Sequence, residues 1–174
     1  MTVLSAVQLR DLTLEDLETV FQWSRDTEFC LANGWTLELP QKTLQSHWMQ
    51  FVRKTRSNFL RKAITFNNQL VGYADLADIN QTEARASLGY AIGCSNQWGK
   101  GLGFSGARLM LEVAFLELQL ERVVSDVNAT NSRSIRVLEK LGFKLEGVLR
   151  NHETYRGKHG DVHLFGLLRE EFLV

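Results

Sequence analysis

The chain has 174 residues, 44% hydrophobic and 23% charged, with 20 basic and 20 acidic side chains and four histidines. That length fits one domain over residues 1–174, and zero net charge argues against a broad nucleic-acid or acidic-membrane footprint. No apolar run approaches the roughly 18 residues of a membrane span, Met1 to Arg10 carry no export signal, and Cys30 and Cys94 make neither a disulfide framework nor a metal-ligand pair. The expectation is a cytoplasmic protein with reduced thiols and no metal.

The predicted elements alternate along the chain. Val7 to Leu12 reads as a strand. Thr13, with Asp16 three residues on, caps a helix running to about Ser24 with Leu14, Leu17, Val20 and Phe21 at helical spacing. Asp26 to Pro40 reads as irregular, with a turn at Asn33-Gly34. Thr43 to Arg53 is a second helix. Arg61 to Phe66 and Gln69 to Ile79 flank Asn67-Asn68, a pair suited to a tight hairpin. After a turn at Asn80-Gln81-Thr82, Ala84 to Ile92 completes an antiparallel meander.

A loop with four glycines, Gly93 to Gly103, then opens into a long helix, Phe104 to Leu120, apolar around much of its circumference. Arg122 to Val127 is a strand. Asn131 or Ser132 caps a further helix, which Gly142 closes. Lys144 to Leu149 and Val162 to Leu168 are the last strands, joined by a polar segment, Arg150 to Asp161. The order β-α-α-β-β-β-loop-α-β-α-β-β predicts an α+β fold: a mixed, mostly antiparallel central sheet with helices on both faces.

The most informative stretch is Gln97-Trp98-Gly99-Lys100-Gly101-Leu102-Gly103-Phe104-Ser105-Gly106. Glycines ahead of a helix let bare amides approach a ligand, and the helix start adds unpaired N–H groups and a positive dipole end, so a pyrophosphate is the natural occupant. A P-loop needs Ser or Thr after Gly-Lys, and Gly101 follows Lys100. A dinucleotide fingerprint is literally present in Gly101, Gly103 and Gly106, with Asp126 twenty residues further on. Its surroundings do not suit it. Three probable antiparallel strands precede the motif, and the first glycine does not follow its strand at once. A loop cradling the pyrophosphate of coenzyme A is the third reading.

Here the sequence resembles the GNAT acyltransferase superfamily, whose signature is R/Q-x-x-G-x-G/A at the start of a long helix. Gly101 and Gly103 match its glycines, while Trp98 stands where Arg or Gln is usual. Trp-Gly-Lys-Gly is common in the RimJ/RimL branch. A second stretch, from Asn131-Ser132-Arg133-Ser134 through Lys140-Leu141-Gly142-Phe143 to Glu146-Gly147, is similar to the family's N-x-x-S…K-L-G-F…E-G pattern, and Gly89-Tyr90 resembles its preceding strand. The resemblance implies a GNAT-like acyl-CoA N-acyltransferase fold, with a sheet splayed at its middle around acetyl-CoA. By position, backbone at Ile92 and Cys94 would pair with the pantetheine arm. Backbone of Trp98, Gly99, Lys100, Gly101, Leu102, Gly103 and Phe104 would hold the pyrophosphate. Asn131 would meet the pantetheine amides, and Arg136 and Lys140 the phosphorylated ribose.

Acyl transfer to an amine needs a neutral amine, a polarised thioester carbonyl and help for the departing thiolate. Many relatives supply that help from a tyrosine at the position of Leu138. Ser134, one turn earlier, and Tyr155 are the candidates here. Glu153, His152 and Asp161 are possible bases, in a segment that should rim the acceptor side opposite Asp26 to Pro40. The expected activity is acetyl transfer to a primary amine, on a protein N-terminus or a small molecule, by direct attack without a Cys94 acyl-enzyme. The competing expectation is a non-catalytic acyl-CoA-binding module. A homodimer is compatible with the antiparallel edges.

Overall fold

The computed structural model describes residues 6–172. Seven strands form one sheet in the order β1-β2-β3-β4-β5-β7-β6: β1 is Val7–Arg10, β2 Leu60–Phe66, β3 Gln69–Asn80, β4 Arg85–Ile92, β5 Arg122–Asn128, β6 Lys144–Tyr155 and β7 Lys158–Leu168. Every neighbouring pair is antiparallel except β4 with β5. The helices are α1 (Leu17–Trp23), α2 (Thr27–Asn33), α3 (Gln41–Val52), α4 (Leu102–Glu112), α5 (Ser132–Lys140) and α6 (Arg169–Phe172). The mixed α+β architecture matches the order read from the sequence.

Strand alternation builds two cores. Ile64, Ala74, Leu76 and Leu88 face α4 and bury Met110, Leu111 and Phe115 beside them. Ala63, Tyr73 and Ala91 face the other way and bury Trp23, Phe29 and Trp48. Burying side chains of this size stabilises each face by roughly 1.5–3 kcal/mol per residue relative to exposure. The α4 helix is largely buried, as its composition predicts, and packs against β1, β3 and β4. It ends in a π turn, Val113–Glu117, where the Leu118 N–H reaches back five residues to the Val113 carbonyl at 2.9 Å.

Several local readings change. The first helix starts as a 3-10 turn, Leu14–Asp16, before α1. Its capping contact is present, with the Thr13 N–H donating to Asp16 Oδ2 at 2.8 Å. The segment read as irregular, Asp26 to Pro40, holds α2, capped by Asp26, whose Oδ1 accepts from the Phe29 N–H at 3.0 Å. The helix stops at Gly34, left-handed at φ 64°. The polar segment Arg150 to Asp161 is not a loop: β6 runs on to Tyr155 and β7 begins at Lys158. The alternation that marks a half-buried strand is missing there because the outer half of this hairpin faces water on both sides.

The feature that positions the site is the β4–β5 pair. Its parallel register covers only Arg85↔Arg122, Ala86↔Val123 and Ser87↔Val124. Beyond Ser87 the strands part, although β4 continues to Ile92 and β5 to Asn128. The Ser125 hydroxyl donates to the Leu88 carbonyl at 3.0 Å and closes the apex of the split.

Candidate active site

The phase of the β3–β4 ladder decides what the split exposes. Ile92 lies opposite Gly72 and Ala91 opposite Tyr73, and the Gly93 N–H donates to the Val71 carbonyl at 2.9 Å. Bonding alternates along an antiparallel ladder. The peptide groups of Gly89 and Ala91 therefore turn toward β3, and those of Tyr90 and Ile92 turn into the gap. Two contacts arriving from the gap side fit this phase: the Ser125 hydroxyl on Leu88, and the Trp98 indole N–H, which donates to the Ile92 carbonyl at 2.8 Å.

A cavity of about 670 Å³ fills the split. Its floor is Tyr90, Ala91 and Ile92. One wall is the glycine loop and the start of α4, from Gln97 to Phe104 without Lys100. The other is α5, through Asn131, Arg133, Ser134, Arg136, Val137 and Lys140. Ala32 and Asn33 at the end of α2 and Tyr155 at the end of β6 close the far end.

The head of α4 turns backbone amides toward the cavity. Gly101, at φ 83°, is the left-handed residue before the helix and supplies no side-chain cap. The first intrahelical bond is from the Ser105 N–H to the Gly101 carbonyl at 3.0 Å. The N–H groups of Leu102, Gly103 and Phe104 thus have no helical acceptor, and the dipole end beside them is positive. Arg136 and Lys140 line the opposite wall with exposed ends.

The third glycine of the apparent dinucleotide fingerprint has a packing cause. A Cβ on Gly106 would lie 2.8 Å from Ile64 Cγ1, in the core and away from the cavity. The ribose-ligand position of that reading, Asp126, is on β5 and does not line the cavity. Both points go against the dinucleotide reading, as the surroundings of the motif already did.

Of the residues singled out from sequence, Ile92, Trp98, Gly99, Gly101, Leu102, Gly103, Phe104, Asn131, Ser134, Arg136, Lys140 and Tyr155 come together around this cavity. Cys94, Lys100 and Glu153 do not line it. Cys94 packs with the Trp23–Trp48 core, and burial, aided by Asp26, pushes its thiol up. Lys100 is exposed, and Glu153 pairs with Gly160 on the outer hairpin. Leu138 is 1% exposed in the α4 core and does not line the cavity.

Sequence reasoning left Arg133, Gln97, Asn33 and the Tyr90 side chain without a role. Arg133 places its guanidinium 4.2 Å over the Trp98 ring, joining the two walls through a cation–π contact. Tyr90 packs its ring against Gly103, whose Cβ position lies 3.2 Å from Tyr90 Cε2. Its hydroxyl is buried without a hydrogen-bond partner, and burial pushes the phenol up to about 12 while the nearby Ser134 hydroxyl pulls against it. No aspartate, glutamate or histidine is among the residues lining the cavity. No group of acidic, His or Cys side chains suited to a metal ion occurs among the described residues, and no described helix is long and apolar enough to cross a membrane.

A mostly antiparallel sheet that splits between its two parallel strands, with a helix head at the mouth of the gap, is the architecture of this chain, and comparison with known proteins gives its family. Residues 7–144 match the acetyltransferase (GNAT) domain, and the chain belongs to this acetyltransferase family. The uncharacterized N-acetyltransferase p20 of Bacillus licheniformis is 28% identical over 167 residues, 94% of this chain and 93% of that protein. The structure of spermidine N-acetyltransferase from Vibrio cholerae with CoA and spermine superposes with a TM-score of 0.86 at 20% identity, covering 98% of this chain and 99% of that one. Mycobacterium smegmatis RimJ with CoA-disulfide superposes at 0.81 and 22% identity, over 95% and 83% of the two chains.

Proposed function

We propose that the cavity binds acetyl-CoA and that the chain transfers its acetyl group to a primary amine by direct attack. The observation that carries this reading is the unpaired amide cluster of Leu102, Gly103 and Phe104 facing a split sheet, with Arg136 and Lys140 opposite. In this reading the amides hold the diphosphate. The two basic residues meet the phosphorylated ribose. The Ile92 N–H, in the floor, pairs with the pantetheine arm; its carbonyl is already held by Trp98. The Asn131 amide lies beside the same arm, while its Oδ1 caps α5 by accepting from the Ser134 N–H at 3.3 Å. Two structural neighbours were solved with CoA or its disulfide, which supports the choice of ligand.

The amine enters from the end bounded by Asn33 and Tyr155 and forms a bond to the thioester carbon. The C–S bond breaks, the electron pair leaves on sulfur, and the amine's proton passes to water. Ser134, on the α5 wall, is the hydroxyl that meets the departing sulfur. Tyr155 borders the acceptor. Holding both reactants in line supplies up to roughly 7–11 kcal/mol in well-oriented systems. No carboxylate or imidazole lines the cavity, so the amine must arrive largely neutral. At pH 7.5 about a quarter of an α-amine with a pKa near 8 is neutral, against roughly one part in a thousand of an alkylamine near 10.4. This favours an α-amine, such as a protein N-terminus, over a polyamine, and so supports the RimJ/RimL type of reaction. The Trp98-Gly99-Lys100-Gly101 run, common in that branch, supports the same reading.

The test is calorimetric titration with CoA, followed by thiol release from acetyl-CoA over a panel of peptides and polyamines. Saturable binding, with release that rises with pH toward the acceptor's own pKa, is the expected result. Absence of binding refutes the cavity assignment. Binding without release on any amine converts the protein to a sensor of acyl-CoA.

A further inference from the structure

Resting on that reading, we propose that Tyr90 is a positioning residue for Ser134: its phenol O–H donates to Ser134 Oγ, which turns the serine's own O–H toward the sulfur of the departing thiolate. Tyr90 stands on the floor strand β4 and Ser134 on the α5 wall, and both line the cavity. The phenol oxygen is wholly buried and has no hydrogen-bond partner. A buried hydroxyl left unpaired is costly, so such a group persists where a partner completes it. Ser134 lines the same cavity and is the side chain that acts on the buried phenol. The neutral phenol carries an O–H to give, and a serine oxygen can take it.

Ser134 is free to accept. Its backbone N–H is committed to Asn131 Oδ1, and its hydroxyl makes no hydrogen bond within the described residues. A serine oxygen can accept one hydrogen bond while donating its own. With the phenol proton arriving from the floor, the remaining serine proton is directed away from it, along the wall where the pantetheine sulfur lies. The Tyr90 ring packs from below against Gly103, where a Cβ would already lie 3.2 Å from the ring. The glycine that opens the helix head to phosphate thus also seats the tyrosine behind the serine. No proton leaves the pair. The thiolate forms as a hydrogen-bonded anion and takes its proton from water on release.

The experiment reads the thiol itself and needs no acceptor. Bound CoA is titrated by its thiolate ultraviolet absorbance, against the protein saturated with desulfo-CoA, in wild type, Tyr90→Phe, Ser134→Ala, Ser134→Thr and the Tyr90→Phe/Ser134→Ala double variant. A hydrogen bond to an anion of ordinary strength lowers its pKa by about one pH unit. The expected result is a bound thiol titrating about one pH unit higher in Ser134→Ala and part of that in Tyr90→Phe. Ser134→Thr should retain the wild-type value, and the double variant should match Ser134→Ala alone. A Tyr90→Phe protein whose thiol titrates as wild type overturns the proposal, as does a double variant showing the full sum of the single shifts. Should Tyr90→Phe not fold, Ser134→Ala with an unchanged thiol suffices to refute it. Failure of wild type to bind CoA refutes the underlying cavity assignment first, and binding with unmoved thiols refutes this inference alone.

Discussion

The Trp98 indole N–H donates to the Ile92 carbonyl across the mouth of the split, at 2.8 Å. Ile92, the last residue of β4, therefore presents only its N–H to a ligand, and the loop that leaves the strand is pinned back over its end. The same indole carries the Arg133 guanidinium on its face. One side chain thus ties the floor, the glycine loop and α5 together.

Replacing Trp98 with Phe keeps a ring for Arg133 and removes the N–H. A carbonyl losing its partner costs about 1–3 kcal/mol when water cannot replace it. At this partly open position the lower end applies. We expect unfolding stability to fall by about 1 kcal/mol and CoA to bind roughly three- to tenfold more weakly. Denaturant titration and calorimetry check the two effects separately; unchanged CoA affinity would mean that the pinned carbonyl does not shape the floor.

Gly101 and Gly106 belong to one motif but answer to different physics. Gly101 stands at φ 83°, so alanine there meets left-handed strain of about 1–2 kcal/mol at the mouth of the cavity. Gly106 has ordinary helical backbone, but a Cβ would press on Ile64, which has no exposure and no room to yield. Overpacking of this kind costs about 1–3 kcal/mol. The expected outcome is that Gly101→Ala weakens CoA binding beyond its effect on stability. Gly106→Ala should lower the melting temperature and leave the affinity of the folded protein unchanged. Equal loss of affinity in both would restore a ligand role to the third glycine.

What was legible in the sequence follows from where each signal originates. The hairpin at Asn67-Asn68 reads correctly because the turn demands left-handed residues, and both sit at positive φ, 51° and 63°. The glycine loop reads correctly because a helix start and bare amides are local. The α2 helix escaped notice because it is seven residues long and held from a distance: the second oxygen of its cap, Asp26 Oδ2, accepts from the Ser95 N–H at 2.8 Å, 69 residues away. The outer hairpin escaped because strand periodicity needs one buried face. Arg133 and Tyr90 gain meaning only from partners on other elements, Trp98 and Ser134.

Direct attack predicts that the Cys94 thiol is dispensable. It packs with the Trp23–Trp48 core, and burial disfavours its thiolate, which is the nucleophilic form. Cys94→Ala should bind CoA as wild type does and release thiol within about threefold of the wild-type rate, a barrier change of about 0.6 kcal/mol. A folded, CoA-binding variant without turnover would put an acyl-cysteine back into the reaction.

Arg156, at the tip of the β6–β7 hairpin, pairs with Glu28 of α2 at 2.7 Å, and the same two elements supply Tyr155 and Asn33 to the cavity lining. Exposed pairs of this kind contribute about 0.2–1 kcal/mol. Glu28→Gln should therefore leave the melting curve nearly unchanged. Because the pair borders the acceptor end and not the helix head, its loss should alter the acceptor KM by severalfold while the CoA Kd stays fixed. Steady-state kinetics with an accepted peptide, set beside calorimetry, separates the two; a shift in CoA affinity alone would place the acceptor elsewhere.

Asp16, the most deeply buried of the carboxylates held low by a cation, contributes to the fold's acid sensitivity. Burial pushes its carboxyl up, but the Arg10 guanidinium, at 2.6 and 2.9 Å, and the Thr13 N–H outweigh it and hold the group below the usual 3.8. A carboxyl with a depressed folded value binds its proton more weakly in the native state than in the unfolded chain. Its contribution is therefore complete above the unfolded value, near 3.8, and fades as pH falls through the lower folded one. Asp16→Asn should cost about 1–3 kcal/mol at neutral pH, since Arg10 and the Thr13 amide lose a shared acceptor on a side chain 4% exposed. Urea unfolding of both proteins between neutrality and the acid limit of the native state tests this. The gap between wild type and variant should hold constant down to the usual carboxylate range and narrow below it. A gap independent of pH throughout would show that the Asp16 charge, as distinct from its shape, does not hold α1 to β1.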